Sequence, residues 1–475
     1  MNKISIKKIA LSLLLALLLL TSLCAKGFDN QLSSTLQTQL DQFRSKYNLM
    51  GMSAAIVSDD YGTWTGTSGF SQESINSSIS SDMIFSIGSV TKTYVATLVM
   101  QLEDEAILSI DDSLFHWLPT YPNIDSTTTI KQLLKHESGI FNLTDNPLFF
   151  QVLNQDHLHV WQDEEIILKL VDKPLFEPGK KYSYSNTNYI LLGMILKQAT
   201  GKSISSLLRE RILAPLNLNH TFLAIEDSLE GNIAHGWFDI DGDSKLNDFT
   251  DFWEPKAFYS ALWTAGAMYS TAEETSIFMK ALFNGELVSS ISLEKMMDIN
   301  SVSHSGLGLF GFTTPNNISM MGHDGFTIEY SAFVFYDISS KSTFSILVNQ
   351  RDRGSYSMSL IFDFIESLKN YTPTSILSES LEPNSFELNQ NWPNPFNPTT
   401  TISFSLQKAD FVQLTIFNML GKQIRTLVNG EQNLGKHTFM WNGKNDSGTS
   451  VASGTYIYHL RVGQRSESKQ MLLIR

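Results

Sequence analysis

The rhythm of apolar and polar positions changes several times along the chain, and each change predicts an element. Residues 52–57, Met-Ser-Ala-Ala-Ile-Val, form a short apolar run. The turn residues Asp59, Asp60, Tyr61 and Gly62 follow, then a second extended run over 63–70, so 51–70 reads as a strand pair. Near Ser89 the period lengthens, and the spacing of Tyr94, Leu98, Leu102 and Glu105 predicts a long helix. Residues 129–138 predict a helix that stops at Gly139, and 189–200 one closed by Gly201. Two β-rich runs, 331–336 and 343–349, flank the turn residues 337–341, and a helix over about 356–369 ends this region.

The texture then shifts. After Tyr371 the chain becomes rich in Ser, Pro, Glu and Asn as far as Asn391, which reads as a linker. Beyond it, short alternating segments at 401–406, 412–418, 423–427, 437–441, 456–462 and 470–474 are separated by turn residues such as 418–421, 445–448 and 453–454. That spacing predicts a small all-β sandwich. At the other end, Lys3, Lys7 and Lys8 precede an apolar run over 9–20 and small residues up to Ala25. This is the pattern of a secretory signal peptide cleaved after Ala25, with an apolar run short for a membrane span. The expected layout is a signal peptide at 1–25, a main domain at 26–370, a linker at 371–385 and a β-module at 386–475. Cys24 is the only cysteine. It invites a lipid-anchor reading, against which Leu23 stands where lipoprotein signals want a small residue. Cleavage after Ala25 leaves a protein without disulfides.

Composition narrows the function classes. The 475 residues are 42% hydrophobic and 17% charged, which is globular and long enough for two or three modules. A net charge of -14 argues against nucleic acid, whose phosphates need clustered Lys and Arg. The run Asp239-Ile-Asp-Gly-Asp243 resembles a calcium loop, but Gly242 is out of place and Thr250 stands where a glutamate is needed, so a hairpin turn is expected. No metal or cofactor is called for.

Three motifs carry the candidate chemistry: Ser89-Val-Thr-Lys92, Tyr184-Ser-Asn186 and His323-Asp-Gly325. Ser-x-x-Lys recurs at Ser5, Ser292, Ser405 and Ser466, Tyr-x-Asn at Tyr121 and His-x-Gly at His304, so context must select the copies. Gly88 precedes Ser89 and a helical pattern follows it, which places Ser89 near a helix N-terminus and Lys92 on the same face. Unpaired N–H groups and partial positive charge at a helix start suit an oxyanion, and the Ser89 amide can supply one donor. A serine needs a base, and Lys92 can be one if burial or another cation lowers its pKa. Alternatively, Ser89 simply caps the helix. A Tyr184 phenolate near cations could share the proton transfer, and the Asn186 amide could bind a substrate carbonyl. Asn186 or Thr187 could equally cap the next helix. His323 opens a strand whose edge could supply a second oxyanion N–H from Phe326, or it is a satisfied structural side chain.

As an ordered set these motifs resemble the serine β-lactamases and penicillin-binding proteins, in their class C-type branch. The stretches Phe85 to Thr93, Leu133 to Ile140, Glu177 to Gly193, Thr264 to Thr271 and Gly322 to Gly325 carry the likeness, over roughly residues 30–370. The resemblance implies an α+β fold with a five-stranded antiparallel sheet flanked by helices and a helical subdomain. It implies Ser89 as nucleophile, Lys92 and Tyr184 as the acid/base pair, Asn186 as a substrate amide ligand and His323 as an electrostatic partner. Gly325 and Phe326 then belong to the substrate-binding edge. The activity implied is hydrolysis of a small-molecule or peptide ester or amide through an acyl-enzyme, as by the esterases and D-aminopeptidases of that branch. The alternatives are a D-alanyl-D-alanine carboxypeptidase, a class C β-lactamase, or a catalytically silent binding protein. Asp324 departs from the hydroxyl often found there and, if it points inward, would repel a substrate carboxylate, which leaves esters, amides or amine-ended peptides open. Phe326 to Glu329 stand where relatives often carry glycine or Pro-Gly, so a narrower pocket mouth is expected.

Residues 386–475 resemble the type IX secretion sorting domain of Gram-negative bacteria, through Trp392 to Thr400, Asn418 to Gly421, Trp441 to Gly443, Ala452 to Tyr456 and the final Lys469 to Arg475. That implies transit through the periplasm to the cell surface or medium, with the type IX machinery as partner. An ordinary accessory sandwich is the alternative.

Overall fold

The computed structural model describes residues 27–243, 245–250, 256–300, 302–314, 318–351, 356–372, 386–418, 422–463 and 465–474. The signal segment with Cys24, most of the expected linker and the 419–421 part of one turn lie outside them. The chain divides into two compact units between Tyr371 and Thr372.

The first unit is built on an antiparallel sheet of β1 (Gly51–Ser58), β2 (Gly62–Gln72), β3 (Ser77–Ser78), β4 (Phe310–Thr313), β5 (Ser319–Phe326), β6 (Ser331–Asp337) and β7 (Ser342–Val348), in the order β3-β2-β1-β7-β6-β5-β4. Five long strands match the expected five. The two short edge strands extend the sheet to seven, and runs of two to four residues carry no readable period. The strand alternation sorts side chains onto two cores. Met52, Ala54, Ile56, Phe333, Phe335, Phe344 and Ile346 face one helical layer. It is made by α1 (Asn30–Tyr47), through Leu32, Leu36 and Leu40, and by α6 (Ser357–Asn370), through Leu360, Ile361 and Phe364. Ala55, Ala332, Val334, Tyr336 and Leu347 face the other layer, where α5 (Ala272–Phe283) packs. With both faces covered, β6 and β7 are buried throughout, which is why they read as near-continuous apolar runs.

On that second side lies a helical region around α2 (Thr91–Asp104), whose residues 91–100 are all buried. A helix buried on every side sits in the middle of a domain rather than on its surface. Around it pack α3 (Ile130–Leu134) and α4 (Asn186–Thr200). Helix α3 is shorter than the predicted 129–138. Its start has the capping box Thr129/Gln132, but His136 takes a positive φ of 56° and turns the chain away before Gly139. The predicted stop of α4 holds, with Gly201 at φ 69°. Residues 237–238 pair with 247–248, so the aspartate-rich run forms the turn of a hairpin. Its carboxylates are occupied by turn N–H groups, including Gly242 N to Asp239 Oδ1 at 2.8 Å and Lys245 N to Asp243 Oδ1 at 2.8 Å.

The second unit is a sandwich. One sheet holds β8 (Phe386–Leu388), β9 (Thr400–Leu406) and β12 (Gly435–Trp441) in the order β8-β9-β12. The other holds β10 (Asp410–Asn418), β11 (Gln423–Gln432), β13 (Gly454–Val462) and β14 (Arg465–Leu473) in the order β11-β10-β13-β14. Ile402, Phe404, Leu414, Ile416, Trp441 and Tyr458 meet between the sheets. Strand β8 was not predicted. Among the described residues no helix is long and apolar enough to cross a membrane.

Candidate active site

The three motifs converge. Ser89 lies in a single 3-10 turn, Gly88–Val90, that leads into α2. The turn is pinned on both sides: Thr91 Oγ1 donates to Gly88 O at 2.7 Å and accepts from Met268 N at 3.1 Å. Gly88 has φ 48°, which an L side chain rarely adopts. Lys92, one turn on, is fully buried. Its Nζ sits 2.9 Å from Ser89 Oγ, 2.8 Å from Asn186 Oδ1 and 2.6 Å from Ala265 O. The Tyr184 hydroxyl donates to the same Ser89 Oγ at 2.8 Å.

Donor bookkeeping explains how this set can work. A neutral lysine amine has two N–H donors and one lone pair. In that form Asn186 Oδ1 and Ala265 O suffice for the two donors, which leaves the lone pair for the proton of the Ser89 hydroxyl. Burial pushes the Lys92 pKa well below its ordinary value, against a raising influence from Asp324, and so favours that neutral form. Burial also pushes the Tyr184 phenol well above its ordinary value. The phenolate allowed by the sequence is therefore disfavoured, and Tyr184 stands as a proton donor while Lys92 is the available base.

Supporting residues hold these groups in place. Asn186 donates from Nδ2 to Thr144 Oγ1 at 3.1 Å, and its backbone N–H donates to Asn142 Oδ1 at 2.9 Å. The His136 ring lies 4.3 Å, centroid to centroid, from that of Tyr184, and its Nδ1 accepts from Ser185 N at 3.1 Å. His136 and Ala265 were inside stretches that carried the family likeness, but neither was assigned a role. A backbone carbonyl leaves no residue-type signal, and a lone histidine has many structural uses.

Strand β5 closes the site. Strand β4 pairs it only over 319–322, so residues 323–326 run on past β4 toward the serine turn. A Cβ placed on Gly325 would lie 2.0 Å from Ile87 O and 2.8 Å from Ser89 N, and one on Gly88 would lie 2.8 Å from Phe326 N. The Ser89 and Phe326 amides thus border one crevice, an arrangement able to receive an oxyanion. Gly325→Ala is expected to push strand and turn apart. We predict a loss of about 1–3 kcal/mol in denaturant unfolding, typical of overpacking, together with reduced activity.

His323 does not fill the role expected of it. It is buried behind the cleft, its ring 4.6 Å from that of Phe310, and Nδ1–H donates to Asp324 O at 2.5 Å. Burial pushes its pKa down to about 3, so the imidazole is neutral at physiological pH and offers no positive charge. Asp324, by contrast, lines the cleft, with Ser89, Tyr184, Asn186 and Phe326. The cleft measures about 510 Å³ and is otherwise largely apolar, with Phe149, Phe150, Phe258 and Leu262 in its wall.

Residues 36–360 match the family model described as Beta-lactamase. The chain belongs to the beta-lactamase family. Residues 391–466 match the model of the FlgD Ig-like domain. Among curated relatives, penicillin-binding protein 4* of Bacillus subtilis (strain 168) is 23% identical over 339 residues, covering 69% of this chain and 74% of the relative. Penicillin-binding protein 4 of Amycolatopsis lactamdurans is 29% identical over 207 residues, covering 42% of this chain and 51% of the relative. The D-amino acid amidase of Ochrobactrum anthropi SV3, in complex with L-phenylalanine amide, superposes with a TM-score of 0.63. It is 25% identical, over 72% of this chain and 99% of that one. A penicillin-binding protein of Bacillus halodurans shares the fold at TM-score 0.59 and 20% identity, over 68% of this chain and 98% of that one. This beta-lactamase-family member is accordingly a serine hydrolase.

Proposed function

We propose that the protein is an exported hydrolase that cleaves an ester or amide through an acyl-enzyme on Ser89. The observation that carries this is the buried Lys92 Nζ, held by Asn186 Oδ1 and Ala265 O at 2.9 Å from Ser89 Oγ, the same oxygen that the Tyr184 hydroxyl meets. Lys92 takes the Ser89 proton as Oγ attacks the carbonyl carbon. The negative oxygen that forms faces the Ser89 and Phe326 amides. As the acyl–oxygen or acyl–nitrogen bond breaks, the Tyr184 hydroxyl passes a proton to the leaving group and regains one from Lys92. Water then repeats the sequence on the acyl carbon, giving the acid and free Ser89. Asn186 orients Lys92 and lines the substrate cleft.

The penicillin-binding relatives favour a second reading, a D-alanyl-D-alanine carboxypeptidase or β-lactamase of the class C-type branch. Incubation with a penicillin, followed by intact mass with Ser89→Ala as control, separates the two. A Ser89-dependent adduct supports the second reading. Hydrolysis of simple esters or amides without a penicillin adduct supports the first. Ser89-independent turnover defeats both.

The signal-type pattern at 1–25 supports export, and the motif residues of 386–475 support sorting by a type IX secretion machinery. Secretion of a reporter fused to residues 386–475, compared between strains with and without that machinery, tests it. Equal secretion in both rejects the sorting role.

A further inference from the structure

Two oxygens hold the Lys92 amine, and both belong to segments anchored on helix α4. Asn186 Oδ1 comes from the first residue of that helix. Ala265 O, at 2.6 Å, comes from a short turn over 263–265 that lies against the middle of the same helix. Thr264 Oγ1 donates to Tyr189 O at 2.8 Å, and Lys197 Nζ stands 5.1 Å from the centroid of the Trp263 ring. Gly193 makes this approach possible. A Cβ there would lie 2.5 Å from Thr264 Oγ1 and 2.7 Å from Trp263 Cζ3.

The turn does not hold its shape unaided. Trp263 has φ 36°, in the left-handed region that a bulky L residue avoids, so contacts outside the turn must keep it there. One such contact lies at the far end of the side chain, where Nε1–H donates to Glu226 Oε1 at 2.7 Å. The other oxygen of Glu226 accepts from Ser205 N at 2.8 Å, so the carboxylate is itself anchored. A hydrogen bond to an ionised acceptor is stronger than one between neutral groups. Leu262, Ala265 and Gly266 line the catalytic cleft, whereas Trp263 and Glu226 line a separate small hollow with Trp161 and Ile190.

Building on the Ser89 hydrolase reading, we propose that Trp263, tied to Glu226 and seated on Gly193, is a positioning residue that holds the 263–265 turn so that the Ala265 carbonyl meets Lys92 Nζ. A lysine amine on a flexible stem keeps its lone pair toward Ser89 only while both of its acceptors stay in place. Release of Trp263 lets the turn relax, withdraws Ala265 O and frees the amine to swing away from the serine. The effect falls on the chemical step more than on substrate binding, because the displaced carbonyl serves the base.

Three single variants disturb the turn from different sides. Gly193→Ala pushes on it from the helix, Trp263→Phe removes the indole N–H, and Glu226→Ala removes its acceptor. In each, kcat for the best ester is expected to fall, by about tenfold in Gly193→Ala, while KM changes by less than about threefold. The midpoint of the rising pH profile of kcat/KM is expected to move as well, downward if the carbonyl withdraws from the ammonium form and upward if water enters beside it. Trp263→Phe and Glu226→Ala break one bond from its two ends, so the double variant is expected to be no slower than the slower single. A thermal melt and a fluorophosphonate label on Ser89, read by intact mass, report on folding and on the nucleophile in the same preparations.

If the variants melt earlier yet keep the wild-type kcat and pH midpoint, these side chains are structural only and the proposal is overturned. Losses that multiply in the double variant overturn it as well, because the two side chains then act separately. If wild-type Ser89 takes no label and no ester is turned over, the hydrolase reading falls and this proposal falls with it.

Discussion

Replacing Ser89 by alanine is expected to reduce kcat/KM by roughly 10⁵- to 10⁶-fold, the scale seen when a serine hydrolase loses its nucleophile. The hydroxyls beside Ser89 are committed elsewhere. Thr91 Oγ1 is tied to Gly88 O and Met268 N within the turn, and the Tyr184 phenol is held neutral by burial. Folding should be little affected. The change removes one hydroxyl that meets Lys92 and Tyr184, a loss of about 1 kcal/mol for a typical hydrogen bond. The check is a pair of measurements on one preparation, turnover of the best ester and a thermal melt. Turnover within tenfold of wild type, with the fold intact, would remove Ser89 from the chemistry.

Lys92→Met is expected to lower kcat/KM by at least ~10³-fold, within the range assigned to a positioned general base. Lys92→Arg should be as inactive, because a guanidinium has no lone pair to accept the serine proton. The pH dependence has a definite sign. The active form carries neutral Lys92, so activity rises with pH through the Lys92 pKa and then levels. Burial lowers that pKa, so the midpoint lies well below the ordinary lysine value of 10.5. The raised pKa of Tyr184 puts its own ionisation above the working range. Stability follows the same linkage. Because the folded pKa lies below the unfolded one, Lys92 subtracts from stability at low pH, and the deficit shrinks as pH rises toward the unfolded value. A profile that falls with pH across neutrality would contradict the base assignment.

How much of this was legible in the sequence depended on how locally each feature is encoded. The Ser89–Lys92 pair rests on a three-residue spacing and a glycine before it, and the short distance between their functional atoms follows from one helical turn. The long strands announced themselves by apolar runs, and α4 by its closing glycine. Features assembled from distant backbone were invisible. The Ala265 carbonyl that accepts a hydrogen bond from Lys92 Nζ contributes no side chain, and the abutment of Gly325 on Ser89 joins segments far apart in the chain. Edge strands of two to four residues showed no period. Burial decided the remaining differences. It keeps Tyr184 a phenol where a phenolate was entertained, and it makes His323 a neutral packing residue where an electrostatic partner was expected. Sequence spacing reports which residues are near one another more readily than how dry their surroundings are.

The most direct test of the central claim is to trap the intermediate. The purified protein is mixed with the ester it turns over fastest, quenched in acid during turnover, and analysed by intact mass and peptide mapping. A single acyl group on Ser89, absent from Ser89→Ala, is the predicted result. Turnover with no acyl group on Ser89, or an adduct that persists unchanged in Ser89→Ala, would contradict the account.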